Sequence, residues 1–510
     1  MFCSNTDLAK YVIFEDEITV FWEKEWDMPD GVKYSVSLNG EIKETTEKTH
    51  FEFTKLNPNT KYTVCIERLN EKLEADKTIF NEVLCTVSAK EKLDVTKPPF
   101  NAVADGKTLN TTALQLAFDS CKPNQKVYFP KGIYMTGALN VHSDTEVYLE
   151  EGAVLQGSAE VNDYAPKILS RFEGKEMQCY RPLINMGIMD KNGDYNCKNI
   201  SIRGGGTVSG GGEKLCWAVI ESERERLKDF LEANAEYVKT CENNNTIPGR
   251  ARPRLVSINN CENVVLSNVT FQYGAAWNIH FVYSKNIITY GCTIKSRGVW
   301  NGDGWDPDSS EDCYIFNTLF QTHDDCIAIK SGKNPEGNII NRPTRNIYVF
   351  DCIGNNGVAI GSELSGGIDG VYSWDCDLSS GEAGYRIKTT RKRGGYVRNL
   401  KVKNCKTIEI RIYTGYCCND DGESSGELTL IENIYFENVS LNGISHDPNS
   451  DAIKLVPPIY LQGFEEPERY IKNITLKNIT VCTSKEKELP PIRIENVENL
   501  NIQNLNYQEV

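Results

Sequence analysis

A chain of 510 residues with 40% apolar and 10% aromatic content holds enough material for more than one core. A formal net charge of −15, with no basic run interleaved with aromatics, excludes a general nucleic-acid binder, so any polyanionic ligand must meet a local basic patch. The opening MFCSNTDLAKYVIFEDEITVF has neither a positive n-region nor an uninterrupted apolar stretch before a cleavage site, and no later run reaches membrane-span length. A soluble, cytoplasmic protein with no membrane partner is expected.

Residues 1–89 read as a small antiparallel β domain, with alternating apolar and polar runs divided by Asp-Gly, Asn-Gly and Asn-Pro turns. ITVFWEKEW places Trp22 on an early strand, and FEFTKLNPNTKYTVCIERL carries Tyr62 just after a turn. The pattern resembles a fibronectin type III domain, with Trp22 as the core tryptophan and Tyr62 at the tyrosine corner of a sandwich. A carbohydrate-positioning module and a plain spacer or dimer contact are both open roles for it.

Residues 90–99, KEKLDVTKPP, are charged and end in paired prolines, which favours an extended linker. Thr111 and Thr112 precede an apolar stripe at helical spacing, so a short helix is expected to cover the open end of the second domain. From there to residue 510 a loose theme recurs, as in CENVVLSNVTF, SKNIITYGCTI, TRNIYVFDCI and IKNITLKNITV: Asn, a short apolar-alternating strand, Asn or Cys, another strand. Copies start roughly twenty to forty residues apart, the mark of a solenoid. Short strands and β-branched content exclude a helical repeat, leaving a right-handed parallel β-helix over residues 100–510. Its Ile, Val, Leu and Cys residues belong inside, and its asparagines are expected to stack at the turns through their amides.

Two interruptions stand out. Residues 221–245, ESERERLKDFLEANAEYVKTCENNN, have helical spacing and high charge, and read as a solvated helix or as part of a wall around a site. The 18 cysteines are scattered through strand patterns, so reduced core thiols are expected, and the adjacent Cys417 and Cys418 lack the partners of a zinc site. No metal or other cofactor is called for.

The stretch Trp300 to Gly332 carries the chemistry. Asp303, Asp306 and Asp308 cluster there, and the pair Asp324 and Asp325 lies about twenty residues on, one solenoid coil later. Stacked coils bring such clusters together, and a glycosidase needs facing carboxylates, one protonated to release the leaving oxygen and one ionised to activate water. Asp-rich turns also cap strands or bind calcium. Further on, Arg386 and Lys388 alternate on a strand and reach one face, a fork and a point charge suited to a carboxylate. Lys330 is placed to extend that basic patch, while Arg391, Lys392 and Arg393 read first as solvated surface.

Taken in order, these motifs resemble glycoside hydrolase family 28, the polygalacturonases and their relatives, particularly bacterial exo-polygalacturonases with an N-terminal fibronectin-like domain. The Asn-x-Asp-Gly motif falls on Asn301, Gly302, Asp303 and Gly304, the Asp pair on Asp324 and Asp325, and the Arg-Ile-Lys motif on Arg386, Ile387 and Lys388. The resemblance implies an inverting hydrolase in which Asp324 is the general acid and Asp303 and Asp325 hold and deprotonate the water. It implies Arg386, Lys388 and Asn301 as substrate ligands, and Asn355, His323 and Lys330 are expected to join them. One departure is plain: IGNNGVAIGSE has Asn355 where the family has a histidine, and His323 or His280 is placed to compensate.

The implied activity is cleavage of α-1,4-galacturonosidic bonds in pectic oligosaccharides, exo-acting on oligogalacturonides. Alternatives are the same chemistry on rhamnogalacturonan or xylogalacturonan, a silent β-helix that binds acidic polysaccharide, and a calcium-dependent lyase. The lyase fits least, since the motifs supply no base arranged for the C5 proton. Oligomeric state is left open.

Overall fold

The computed structural model describes residues 9–416, 422–448, 450, 452–483 and 488–509. The chain forms two compact units, Met1–Leu93 with Lys122–Lys126, and the remainder. In the first, strands Ala9–Ile13, Glu17–Trp22 and His50–Thr54 make one antiparallel sheet, and Glu41–Thr46, Lys33–Leu38, Lys61–Leu69 and Ala75–Cys85 make the other. Alternate residues of both sheets, among them Ile18, Val20, Val36, Val64 and Ile66, form its core. Trp22 packs edge-on to Tyr34 at 5.2 Å, and the Tyr62 hydroxyl accepts the Asn57 N–H at 2.9 Å. These are the positions singled out as core tryptophan and corner tyrosine. Residues 90–99 are not a bare linker throughout, because Glu91–Asp94 forms a strand.

The second unit is a right-handed parallel β-helix. Strand after strand adds in parallel to the same sheets, one of them 7 strands and another 11 strands long. Coil-to-coil register is set by the side chains that stack inside. Tyr290, Phe316, Phe350 and Trp374 stand ring over ring at 5.2, 4.7 and 4.5 Å, and each such pair adds about 0.5–1.5 kcal/mol beyond its buried area.

At the turns the asparagines stack as expected. The Asn286 amide donates to Asn263 at 2.7 Å, and Asn263 to Asn199 at 3.1 Å. All three have positive φ, between 54° and 60°, a region that asparagine tolerates far better than β-branched residues do. A residue that both enters the left-handed turn and bonds its copy in the next coil explains why Asn opens so many repeats.

The helix Thr111–Ser120 forms where its apolar stripe predicts, burying Leu114, Ala117 and Phe118 against the strand Leu139–Val141. The charged interruption is helical but begins earlier, at Gly212, and runs as Gly212–Arg226, Lys228–Ala233 and Ala235–Val238. The cysteines among the described residues are free, and most are buried in the coils; Cys417 and Cys418 lie outside the described residues. No described helix is long and apolar enough to cross a membrane.

Candidate active site

The 11-stranded sheet carries a cavity of about 490 Å³ on its outer face. Its floor begins at the turn before the strand Trp305–Asp308. Gly304 is required there: a Cβ would lie 2.4 Å from the Cys326 carbonyl of the next coil. That close approach lets Gly304 N–H reach the Asp325 carbonyl at 3.0 Å, locking the coil that carries Asp303 to the coil that carries the Asp pair. Two clusters one coil apart thus meet closely where a side chain is missing.

Of the residues singled out in the sequence, Asn301, Asp303, His323, Asp324, Asp325, Lys330, Arg386 and Lys388 all line this cavity. Asp325 is the most tightly held. Arg386 grips one of its carboxylate oxygens and Lys388 Nζ lies 3.0 Å from the other. Burial alone would raise its pKa, but Arg386 and then Lys388 outweigh that and hold the carboxyl well below the usual range. Asp325 is ionised. The two cations expected to be free for a substrate carboxylate are thus partly committed to the protein's own.

Asp324 is placed differently. Its side chain is 34% exposed, 3.8 Å from Arg386, and its Oδ1 accepts the Asp325 N–H at 3.0 Å. The turn beneath it is braced by Thr322 Oγ1 and Asn356 Nδ2, which donate to the Asp324 carbonyl at 2.7 and 2.6 Å.

The expected cluster of Asp303, Asp306 and Asp308 divides into three roles. Asp303 lines the cavity and lies 3.3 Å from Lys330 Nζ, itself 4.5 Å from the Trp277 ring centre. Asp306 is fully buried, with neither carboxyl oxygen hydrogen-bonded in the structure. Burial, then neighbouring carboxylates, push Asp303 well up and Asp306 to about 8. Asp308 turns away. It is bonded by Arg171 at 2.7 Å and by Gly332 N–H at 3.1 Å, and against the effect of burial Arg171 and His280 bring it down to about 2. The proton shared among these acids belongs to Asp303 and Asp306, not to a pair that includes Asp308.

Three expectations need correction. Asn355 does not line the cavity: its amide is spent on both backbone groups of Thr322, at 2.7 Å each, so it fixes the turn ahead of Asp324 from behind. His280 is fully buried against Trp277 and 3.4 Å from Asp308, and burial lowers its pKa to about 4, leaving it neutral. His323 is therefore the histidine of the cavity, with Nδ1 facing the Gly298 N–H at 3.3 Å. Arg393 is no solvated residue but is fully buried, bonded to Asn334, whereas the exposed Arg391 pairs with Glu466.

Both readings of residues 221–245 apply: the segment is exposed helix and, at its far end, cavity wall through Glu242. Sequence reasoning missed other walls, among them the acids Glu173 and Glu382. Burial raises the pKa of Glu242 and of Glu382. Arg252, also missed, is fully buried and donates to the Trp300 carbonyl and to Asn301 Oδ1, both at 2.7 Å, under the Trp300 ring at 4.3 Å. Arg411 and Tyr413 line the cavity one coil beyond Arg386 and Lys388. Their signal was in the sequence: RIK at 386–388 returns as RIY at 411–413. Among the described residues no group of three or more His, Cys, Asp or Glu side chains is arranged to hold a metal ion.

A parallel β-helix whose sheet gathers a half-exposed carboxyl, a cation-locked carboxylate and a third acid in one cavity defines a glycoside hydrolase. The profile of glycosyl hydrolases family 28 matches residues 193–456. The chain belongs to glycosyl hydrolases family 28. It is 31% identical to a probable polygalacturonase of Vitis vinifera over 68% of this chain and 70% of that one. It is 28% identical to the exo-poly-α-D-galacturonosidase of Dickeya chrysanthemi, a match that takes in 67% of this chain but 60% of that enzyme's length. The family 28 exopolygalacturonase of Yersinia enterocolitica shares the fold over 99% of both chains, with a TM-score of 0.75 at 19% identity.

Proposed function

We propose that the protein is an inverting, exo-acting hydrolase of α-1,4-galacturonosidic bonds in oligogalacturonides. The observation that carries the mechanism is the contrast between adjacent residues: Asp325 is clamped ionised by Arg386 and Lys388, while Asp324 stands half-exposed at the cavity surface. An acid must reach the glycosidic oxygen, and a base must stay charged beside the water on the other side of the ring. Asp324 donates its proton to the leaving oxygen as the C1–O bond breaks. The water attacks C1 from the opposite face and gives its proton to the Asp303 and Asp325 side.

Asp303 is suited to that part because Lys330 is the only cation at hydrogen-bond distance from the Asp303–Asp306 pair among the described residues. Charge therefore settles on Asp303 and the proton on Asp306. A carboxylate kept ionised in a dry setting is a stronger base than Asp325, whose two cations weaken it. Arg386, Lys388 and Arg411 give the acidic cavity a basic side for a uronate, and Glu173, itself paired with Arg250 at 2.8 Å, and Glu242 add groups that accept sugar hydroxyls. Removal of a terminal sugar is in keeping with the activity for which the Dickeya relative is named.

The test is trigalacturonate with chelator present, tracking the anomeric signal of the first product by NMR. Saturated galacturonate released first as the β-anomer supports the proposal. The α-anomer would make the enzyme retaining, unsaturated ends would make it a lyase, and no product would leave acidic-glycan binding as the function.

A further inference from the structure

The sheet that carries the cavity does not end at Arg411 and Tyr413. Parallel register carries the same outward positions on through two more coils, Ile459–Gln462 and Arg493–Glu495. Arg386 pairs with Arg411, Arg411 with Tyr460, and Tyr460 with Arg493. Four successive rungs thus present Arg, Arg, Tyr, Arg on one line, rung to rung about 4.8 Å.

The rungs touch. The Arg411 guanidinium lies 5.3 Å from the Tyr460 ring centre and that of Arg493 lies 5.1 Å from the same ring. The ring is held between two cations that remain open to solvent, their side chains 36% and 47% exposed. Each has an acidic neighbour, Glu409 at 3.7 Å and Glu495 at 2.8 Å. The Arg493 pair is bidentate, with Nε and Nη2 donating to the two Glu495 oxygens at 2.8 and 2.9 Å, but it is exposed on both sides, so a ligand carboxylate competes with Glu495 for the same fork.

We infer that Arg411, Tyr460 and Arg493 form a distal binding track for the uncut remainder of an acidic polysaccharide, continuous with the cavity through Arg411. A rung spacing close to the length of one pyranose lets guanidiniums meet uronate carboxylates while the Tyr460 edge packs on a ring between them. The track rests on the proposed function for its choice of a galacturonate ligand. Its place on the cavity's own sheet, in line with Arg386, points to the ligand.

The test compares Arg493→Gln and Tyr460→Ala with the wild type on trigalacturonate and hexagalacturonate. The track requires the KM of the hexamer to rise about tenfold relative to that of the trimer, the loss of one charge-assisted contact. Equal changes for both lengths, or none for either, would overturn it. Calorimetry on the Asp324→Asn background separates this from the hydrolytic assignment, using hexagalacturonate and its methyl ester. If the wild type cleaves neither oligomer but Arg493→Gln still weakens binding of the free acid alone, the track stands and the hydrolase does not. Equal binding of acid and ester would overturn carboxylate recognition by the track.

Discussion

Lys388 Nζ lies 3.0 Å from one carboxylate oxygen of Asp325, and Arg386 occupies the other. The Arg-x-Lys alternation on one strand, which reads naturally as a substrate clamp, is in this structure first a clamp on the protein's own carboxylate. A substrate uronate would approach cations already half neutralised, so Arg386 and Lys388 link substrate binding to the protonation state of Asp325.

Lys388→Ala should therefore change more than affinity. Asp325 has a depressed pKa, so its ionised form is lost only as pH falls through that low value; without Lys388 the loss comes at higher pH. We expect the acid limb of kcat/KM against pH to move upward, together with a raised KM. A raised KM with an unmoved acid limb would make Lys388 a substrate ligand alone.

Asp324→Asn keeps the shape of the side chain and removes its proton. Loss of a general acid should lower kcat by about 10²- to 10⁴-fold with little change in KM. Calorimetric affinity for trigalacturonate should stay near that of the wild type. A large loss of affinity, with kcat only mildly reduced, would assign Asp324 to binding.

How far a residue's place could be read from the sequence depends on how local its signal is. The coils were legible because Asn at the left-handed turn and alternating apolar residues recur wherever a rung forms. Asp303, Asp324 and Asp325 were legible because motifs one coil apart become spatial neighbours. Arg252 was not, and of the charged insertion only a wall, not Glu242 itself, was legible, since each reaches the site through the packing of an irregular segment that no period describes. Asn355 was misjudged for another reason: a side chain at a cavity-facing position in the motif turns back to satisfy the Thr322 backbone, and only the hydrogen bonds reveal it.

The asparagine ladder makes a stability prediction. Asn263 accepts from Asn286, donates to Asn199 and sits at φ 60°. Asn263→Ala should cost about 2–3 kcal/mol, from the left-handed backbone and two lost hydrogen bonds. Asn263→Gly relieves the backbone and should cost about 1 kcal/mol less. Denaturant midpoints at constant m-value check the order; equal losses would mean the turn is not strained by Ala.

The proton assigned to Asp306 has its own signature. An unfolded aspartate titrates near about 3.9, whereas in the fold Asp306 is raised to about 8 by burial in a site without hydrogen-bond partners. Between those values the native state holds a proton that the unfolded chain has released, so this residue makes the wild type progressively less stable as pH rises from about 4 to about 8, and no further beyond. Asp306→Asn removes that dependence while mimicking the neutral acid. The melting temperature of the variant relative to the wild type should therefore climb across this window and level off above it. Parallel curves for the two proteins would mean that Asp306 is ionised in the fold and that the cavity's proton resides on Asp303, leaving Asp325 alone to take the proton from water.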